Sequence, residues 1–360
     1  MKLAFVDVQL EYQRQRAAID AAIARVVTHG QFILGPEVKE LEARIAAMTA
    51  MPHGIGVASG TDALILAMRA LDIGPGDEVV TTPFTFMATA GAVRHCGATP
   101  VFADLDPVTL NLDPAAAAAA VTPRTKAIIV VHLYGAPCAM DAFTALARER
   151  QLFLVEDCAH ALGATYAGRP AGSFGDIACH SFFPTKMLGA YGDAGMLCAR
   201  DERLVERLRT LRAHGCRKKY FPDEIGYNSR LDTLQAAVLL AKLDRFDESL
   251  RERRQVAAWY DAALAGVARV PVGEGHCAYA YTVRVANRDA VAVKLKEQGI
   301  PSMAYYPVAL HQTPAYGGGR QQSLPVAEQA AREVLSLPIY PGMTREQVTL
   351  VAGALREALA

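Results

Sequence analysis

Lys186 and Asp157 are the side chains of this sequence that their neighbours best equip for chemistry. In HSFFPTKMLGAYGDAGM (180–196), Lys186 sits among aromatic and apolar residues and is followed by Gly189, Gly192 and Gly195. Loss of hydration lowers an amine's pKa and frees it as a nucleophile. A solvated loop lysine is the plainer alternative. In LVEDCAH (154–160) an acidic pair ends a hydrophobic run, where α/β proteins collect ligands. A buried Asp157 needs a cation or strong donor, although an acid here can also cap a helix, and His160 alone reads as structural. In ASGTDAL (58–64) a strand end enters a helix through Ser59 and Gly60. The amides of Thr61 and Asp62 are expected to point outward with the helix dipole behind them, which binds phosphate; an ordinary capped helix has the same text. In GYNSRLD (226–232), Asn228 and Arg230 precede a long helix, and the planar arginine fork suits a carboxylate. A surface arginine looks alike. Upstream, GIGVASG imitates a dinucleotide fingerprint but has Ser59 where the last glycine of G-x-G-x-x-G belongs, so a nicotinamide-dependent dehydrogenase rests on a broken motif.

These residues need a scaffold, and the sequence supplies one. Apolar runs at 53–59, 77–83, 99–106, 126–134 and 152–159 are nearly continuous, as in parallel strands buried on both faces. Helical stretches such as TDALILAMRALDIG and MDAFTALARERQ alternate with them, which predicts an α/β domain with a mainly parallel sheet. The runs 176–183 and 194–200 follow with no helix between, so an antiparallel strand is expected, and seven strands precede residue 201. DAAIARVVTHG reads as the first helix with Gly30 as its C-cap, and the alanine run 115–120 as a plain helix started by Asp113-Pro114. From Leu231 one long helical segment is expected to run through RFDESLRERRQVAAWYDAAL into a smaller domain, where AYAYTVRVANRD reads as a strand and VAVKLKEQG as a helix. The expected division is a large domain at 1–245, with an N-terminal helical segment, and a small α+β domain at 246–360.

Composition narrows the function. Of 360 residues, 52% are hydrophobic and 21% charged, so a large core is available. Lysine plus arginine equals aspartate plus glutamate, 37 against 37, which argues against a nucleic-acid partner. No apolar stretch approaches the ~20 residues of a membrane span, and the N-terminus turns charged too early for a secretory signal. Seven scattered cysteines without a C-x-x-C pair point to a reduced cytoplasm rather than a disulfide or zinc framework. Neutrality hides one local excess: between Arg200 and Lys219, eight arginines and lysines face three acids.

In order and spacing, HGQFILGPEV, SGTDAL, GPGDEVVTTPFTF, PRTKAIIVVHLYG, VEDCAHALGA, SFFPTKMLGAYGDAG, NSRLDTLQAA and SLPIYP resemble the DegT/DnrJ/EryC1/StrS family of sugar aminotransferases. The resemblance spans residues from about 5 to 345. It implies the aspartate-aminotransferase-like fold (fold type I) and pyridoxal 5′-phosphate as cofactor. By resemblance, Lys186 is the lysine that bonds the cofactor and shuttles protons, and Asp157 pairs with the pyridinium nitrogen. His160 lies beside the phenolic oxygen and Phe86 stacks on the ring. Gly60, Thr61, Asp62 and Ser181 form the phosphate cradle. Asn228 matches a residue reaching the phosphate from a neighbouring subunit, which implies a homodimer with shared sites. The amino donor implied is L-glutamate and the acceptor a UDP- or dTDP-linked keto sugar, with no metal. HGQFILGPEV, NSRLDTLQAA and the YTVR…NRD and YYP segments are most similar to members that aminate C3 of UDP-2-acetamido-2-deoxy-3-oxo-glucuronate for bacterial surface polysaccharide. In those relatives the residue before Tyr306-Pro307 can be His; here it is Tyr305, which carries no positive charge, so Arg230 is the expected carboxylate clamp. His214 and His311 are further substrate-loop candidates, and Arg217, Lys218 or Lys219 would attract the diphosphate. A dTDP-3-keto-6-deoxyhexose 3-aminotransferase is the rival, and a non-catalytic cofactor-binding regulator a third reading.

Overall fold

A computed structural model of the protein describes residues 3–267, 270, 273, 275–317 and 323–360; of the charged N-terminal stretch, residues 1 and 2 lie outside this set. The central sheet has seven strands: β1 (His53–Val57), β2 (Glu78–Thr81), β3 (Thr99–Phe102), β4 (Thr125–Val131), β5 (Phe153–Asp157), β6 (Ile177–Ser181) and β7 (Gly195–Ala199). Their order is β1-β7-β6-β5-β4-β2-β3. Neighbouring strands from β6 to β3 run parallel, while β7 is antiparallel to both β1 and β6. The passage without a helix between β6 and β7 is thus the antiparallel step expected from the sequence.

Strand periodicity explains the continuous apolar runs. Ile128 and Val130 of β4 join Leu154 in one buried cluster, whereas Ala127 and Ile129 join Val155 and Ile177 in another, on the opposite face. Both faces are covered by helices, so neither tolerates regular polar alternation. The helix Gly60–Ala70 packs on β6 and β7, and Ala88–His95 packs beside it. The first helix is longer than expected, Val8–His29, because the Asp7 side chain accepts from Leu10 N at 2.8 Å and caps it early; Gly30 ends it at φ 72°.

The long segment expected beyond Leu231 is two helices, Thr233–Leu243 and Phe246–Ala263, broken at Asp244–Arg245. There Asp244 pairs with Arg44 at 2.9 Å, and Phe246 drops into the core against Gly163. Beyond this break the chain builds a second core around an antiparallel pair, β8 (Tyr281–Arg284) and β9 (Val334–Leu337), covered by Arg288–Glu297 and Arg345–Leu359. Leu3 from the other end of the chain belongs to this same core. Among the described residues no helix is long and apolar enough to cross a membrane, and none of the seven cysteines is in a disulfide.

Candidate active site

A cavity of about 390 Å³ opens at the carboxyl ends of β5 and β6. Asp157 closes β5 at 5% exposure. Its Oδ1 accepts from the Ala159 amide at 3.1 Å and its Oδ2 from the Thr89 hydroxyl at 2.8 Å, with Thr85 supporting Thr89 at 3.0 Å. A carboxylate has about four acceptor positions, so roughly half of this one is unspent. Burial pushes its pKa up; the Ala159 amide, Thr89 and the Lys186 charge oppose this without cancelling it.

Lys186 enters the same cavity from a tight turn. Its amide donates to Phe183 O at 2.8 Å, and Ala190 N returns to Phe182 O at 2.8 Å. Gly189 is required here, because a Cβ would lie 2.2 Å from the Pro184 carbonyl. Buried Lys242 holds the turn from behind, donating to Gly189 O at 2.5 Å and pairing with Glu11 at 2.8 Å. Burial pushes the Lys186 amine down to about 8, with Asp157 pulling the other way. An amine in that range exchanges protons readily near neutral pH.

The third wall is the start of the helix Gly60–Ala70. Gly60 touches β6 so closely that a Cβ would sit 2.6 Å from Ser181 Cβ, which brings the Ser181 hydroxyl over the first helical turn. The amides of Gly60 and Thr61, the helix dipole and this hydroxyl could form a cradle for an anion. Asp62 departs from its expected place in it. Its N–H donates to the Ser59 side chain at 3.0 Å, and its carboxylate accepts from Ser229 at 2.6 Å, so it braces the cradle from behind. Half-exposed Phe86 lines the cavity mouth.

The C-terminal half supplies the fourth wall, Tyr279, Tyr305 and Tyr306. Tyr279 stacks on His160 with ring centroids 4.0 Å apart and 15° between planes. Burial, with the Lys186 charge second, holds His160 well below its ordinary pKa, so its ring is neutral. Tyr279, Thr85 and Thr89 were not singled out from sequence: tyrosines near a strand and threonines before a helix are too common to be a signal. Other expected residues lie outside this chain's cavity. Asn228 and Arg230 bond each other at 2.6 Å, and His214 is exposed. His311 is buried and bonds Glu328 at 3.2 Å. Arg217 already pairs with Glu206 at 3.2 Å and Asp223 at 3.6 Å, while Lys218 and Lys219 stand over the rings of Phe221 and Tyr220 on an exposed hairpin.

The cavity fits pyridoxal phosphate on three counts of its own geometry. The glycine-permitted cradle takes a dianion, Asp157 retains acceptor capacity for a ring N–H, and Lys186 offers an amine of lowered pKa for the aldehyde carbon. The buried Nδ1 of His160 also has no partner among the described residues.

Residues 13–356 match the DegT/DnrJ/EryC1/StrS aminotransferase family. The chain is 45% identical over 358 residues to a UDP-N-acetyl-3-dehydro-α-D-glucosamine 3-aminotransferase of Acidithiobacillus ferrooxidans, covering 98% of this chain and 97% of that one. It is 44% identical over 355 residues to the UDP-2-acetamido-2-deoxy-3-oxo-D-glucuronate aminotransferase of Pseudomonas aeruginosa, covering 98% and 99%. The solved structure of S. venezuelae DesV in complex with a ketimine intermediate superposes with a TM-score of 0.96 at 44% identity, covering 99% of this chain and 98% of that one. The chain therefore belongs to the DegT/DnrJ/EryC1/StrS aminotransferase family and is a transaminase that depends on pyridoxal phosphate.

Proposed function

We propose that this transaminase moves the amino group of L-glutamate to C3 of a UDP-linked 2-acetamido-3-oxo sugar, with the 3-oxo-glucuronate as acceptor, on the way to bacterial surface polysaccharide. The meeting of Lys186, Asp157 and the Gly60–Ser181 cradle in one cavity carries the transamination, and the 44% identity to the Pseudomonas aeruginosa 3-oxo-glucuronate aminotransferase supports the acceptor. When bound, pyridoxal phosphate supplies an electron-poor ring that draws the electron pair out of the donor's Cα–H bond. Asp157 would keep a proton on the ring nitrogen, and the amides of Gly60 and Thr61 with the Ser181 hydroxyl would hold the phosphate. Lys186 Nζ would take the Cα proton of glutamate and return it to the cofactor's aldehyde carbon, across the nitrogen, as an amine of pKa about 8 can do. Phe86 and His160, which line the cavity, would flank the ring. The enzyme works as a cytoplasmic homodimer, in which Asn228 and Arg230 of the partner subunit complete each site; neither lines the cavity of its own chain.

A second reading has a specific observation behind it. Among the described residues no arginine lines the cavity, which favours an acceptor without a carboxylate, such as the UDP-linked 3-oxo-N-acetylglucosamine or a dTDP-linked 3-keto-6-deoxyhexose. The uronate reading needs Arg230 of the partner subunit as the clamp. Assays of the three acceptors with glutamate decide between them. The uronate is expected to give the highest kcat/KM, and Arg230→Gln to raise its KM by about tenfold while sparing the uncharged sugars. Equal use of all three would remove the uronate from this proposal. Purified protein is expected to show the absorption of lysine-bound cofactor, which glutamate converts to the amine form; a protein that stays colourless after reconstitution would sink the whole reading.

A further inference from the structure

We propose that Tyr279 is the positioning residue for Lys186: its hydroxyl stations the amine for proton transfer, and its ring fixes the imidazole of His160. This rests on Lys186 being the cofactor-bonding amine. Lys186 Nζ donates to Tyr279 Oη at 3.4 Å and lies 4.9 Å from the centroid of the Tyr279 ring. The other face of the problem is His160, stacked on the same ring at 4.0 Å. One side chain thus touches two residues that reach the cavity from separate strands.

Its own position is held from several directions. Cys277 N donates to Gly135 O at 3.0 Å, and Ala280 N to Tyr134 O at 3.4 Å, which docks this segment on the loop after β4. The docking needs glycine: a Cβ on Gly135 would lie 2.4 Å from Cys277 Sγ and 3.1 Å from Tyr279 N. The side chains of Thr185 and Tyr305 line the cavity beside it. Burial pushes the phenol up to about 12, so it stays protonated at neutral pH and can accept from an ammonium or donate to a neutral amine. A phenylalanine would fill the same space, and a hydroxyl on so buried a side chain is unfavourable unless its bond is used.

The test uses Tyr279→Phe, which keeps the ring and loses the hydroxyl, and Tyr279→His, which keeps a stacking ring with a hydrogen-bonding atom. In cofactor-free protein, competitive acetylation read by mass spectrometry gives the pH midpoint of Lys186. The hydroxyl bonds the charged amine more strongly than the neutral one, because a charge-assisted hydrogen bond is the stronger, so the midpoint of Tyr279→Phe is expected to fall by about half a pH unit or more. In the holoenzyme, single-turnover conversion at saturating glutamate is expected to slow about tenfold with little change in half-saturation. Tyr279→His should recover part of both. An unchanged midpoint, a loss confined to glutamate half-saturation, or a His variant no better than the Phe variant would each overturn the proposal. A control separates it from the reading beneath it: pyridoxal phosphate should protect wild-type Lys186 from acetylation. Without protection the site assignment itself fails, and the cofactor-free midpoint still judges Tyr279.

Discussion

At the end of β5 two adjacent carboxylates face opposite sides of the sheet and meet opposite fates. Glu156, on the face of Leu154, accepts from His132 Nε2 at 3.0 Å and from the amides of Gly172, Phe174 and Gly175 at 2.8, 2.8 and 2.7 Å. Burial would raise its pKa, but His132 and these amides outweigh that and keep it ionised below its ordinary value. The Cys138 amide donates to His132 Nδ1 at 3.1 Å, which directs the Nε2 proton at Glu156. Cys158 stands within 4.8 Å of both ligand atoms, but their lone pairs are spent on N–H groups, which makes this trio a brace rather than a metal site. Asp157, on the face of Val155, has two donors and burial wins. A fully paired carboxylate stabilises the fold; an underpaired one is held ready for a ligand.

That contrast can be broken or sharpened by substitution. The largest effect is expected from Lys186→Ala: turnover with glutamate falls by about four orders of magnitude while the cradle still retains cofactor, as absorbance after gel filtration reports. Next is Asp157→Asn, expected to lower kcat by about a hundredfold or more without lowering the melting temperature of cofactor-free protein. The sign follows from its raised pKa: above that folded value the ionised group weakens the fold, and an amide escapes this. Glu156→Gln should do the reverse, losing about 3 kcal/mol of stability by urea unfolding while kcat per folded molecule stays within about threefold. Because the folded pKa of Glu156 is lowered, its stabilisation is present above its unfolded value of about 4.3 and is lost as pH falls through the folded one. Wild-type stability should therefore fall more steeply with acid than that of the variant. If Asp157→Asn unfolds the protein and Glu156→Gln silences it, the two faces have been assigned the wrong way round. The smallest effect concerns the exposed hairpin outside both faces: neutralising Arg217, Lys218 and Lys219 together is expected to raise the KM of the nucleotide sugar about threefold at low salt, with kcat unchanged.

Much of this was legible in the sequence because it is local. Strand runs buried on both faces, glycine where a backbone must come close, and a lysine in an apolar loop are patterns within about ten residues. The acidic pair was visible, and strand parity sends Glu156 and Asp157 to opposite faces. Parity does not say which face holds His132 and three free amides, since these arrive from two other segments. The same limit explains Asp62, whose carboxylate meets Ser229 from 167 residues away, and the broken helix at Asp244, where Phe246 finds its core.

By itself, then, the sequence determined the order of strands and helices, because hydrophobic period, capping and turn chemistry act between near neighbours, and its ordered motifs carried the resemblance to the family. Only the tertiary structure decided what surrounds them. Tyr279 lies 93 residues from Lys186 yet touches it, and nothing in its own neighbourhood announces that meeting. Long-range contacts follow from how the two cores dock, and docking depends on the summed shape of both surfaces rather than on any short stretch of chain.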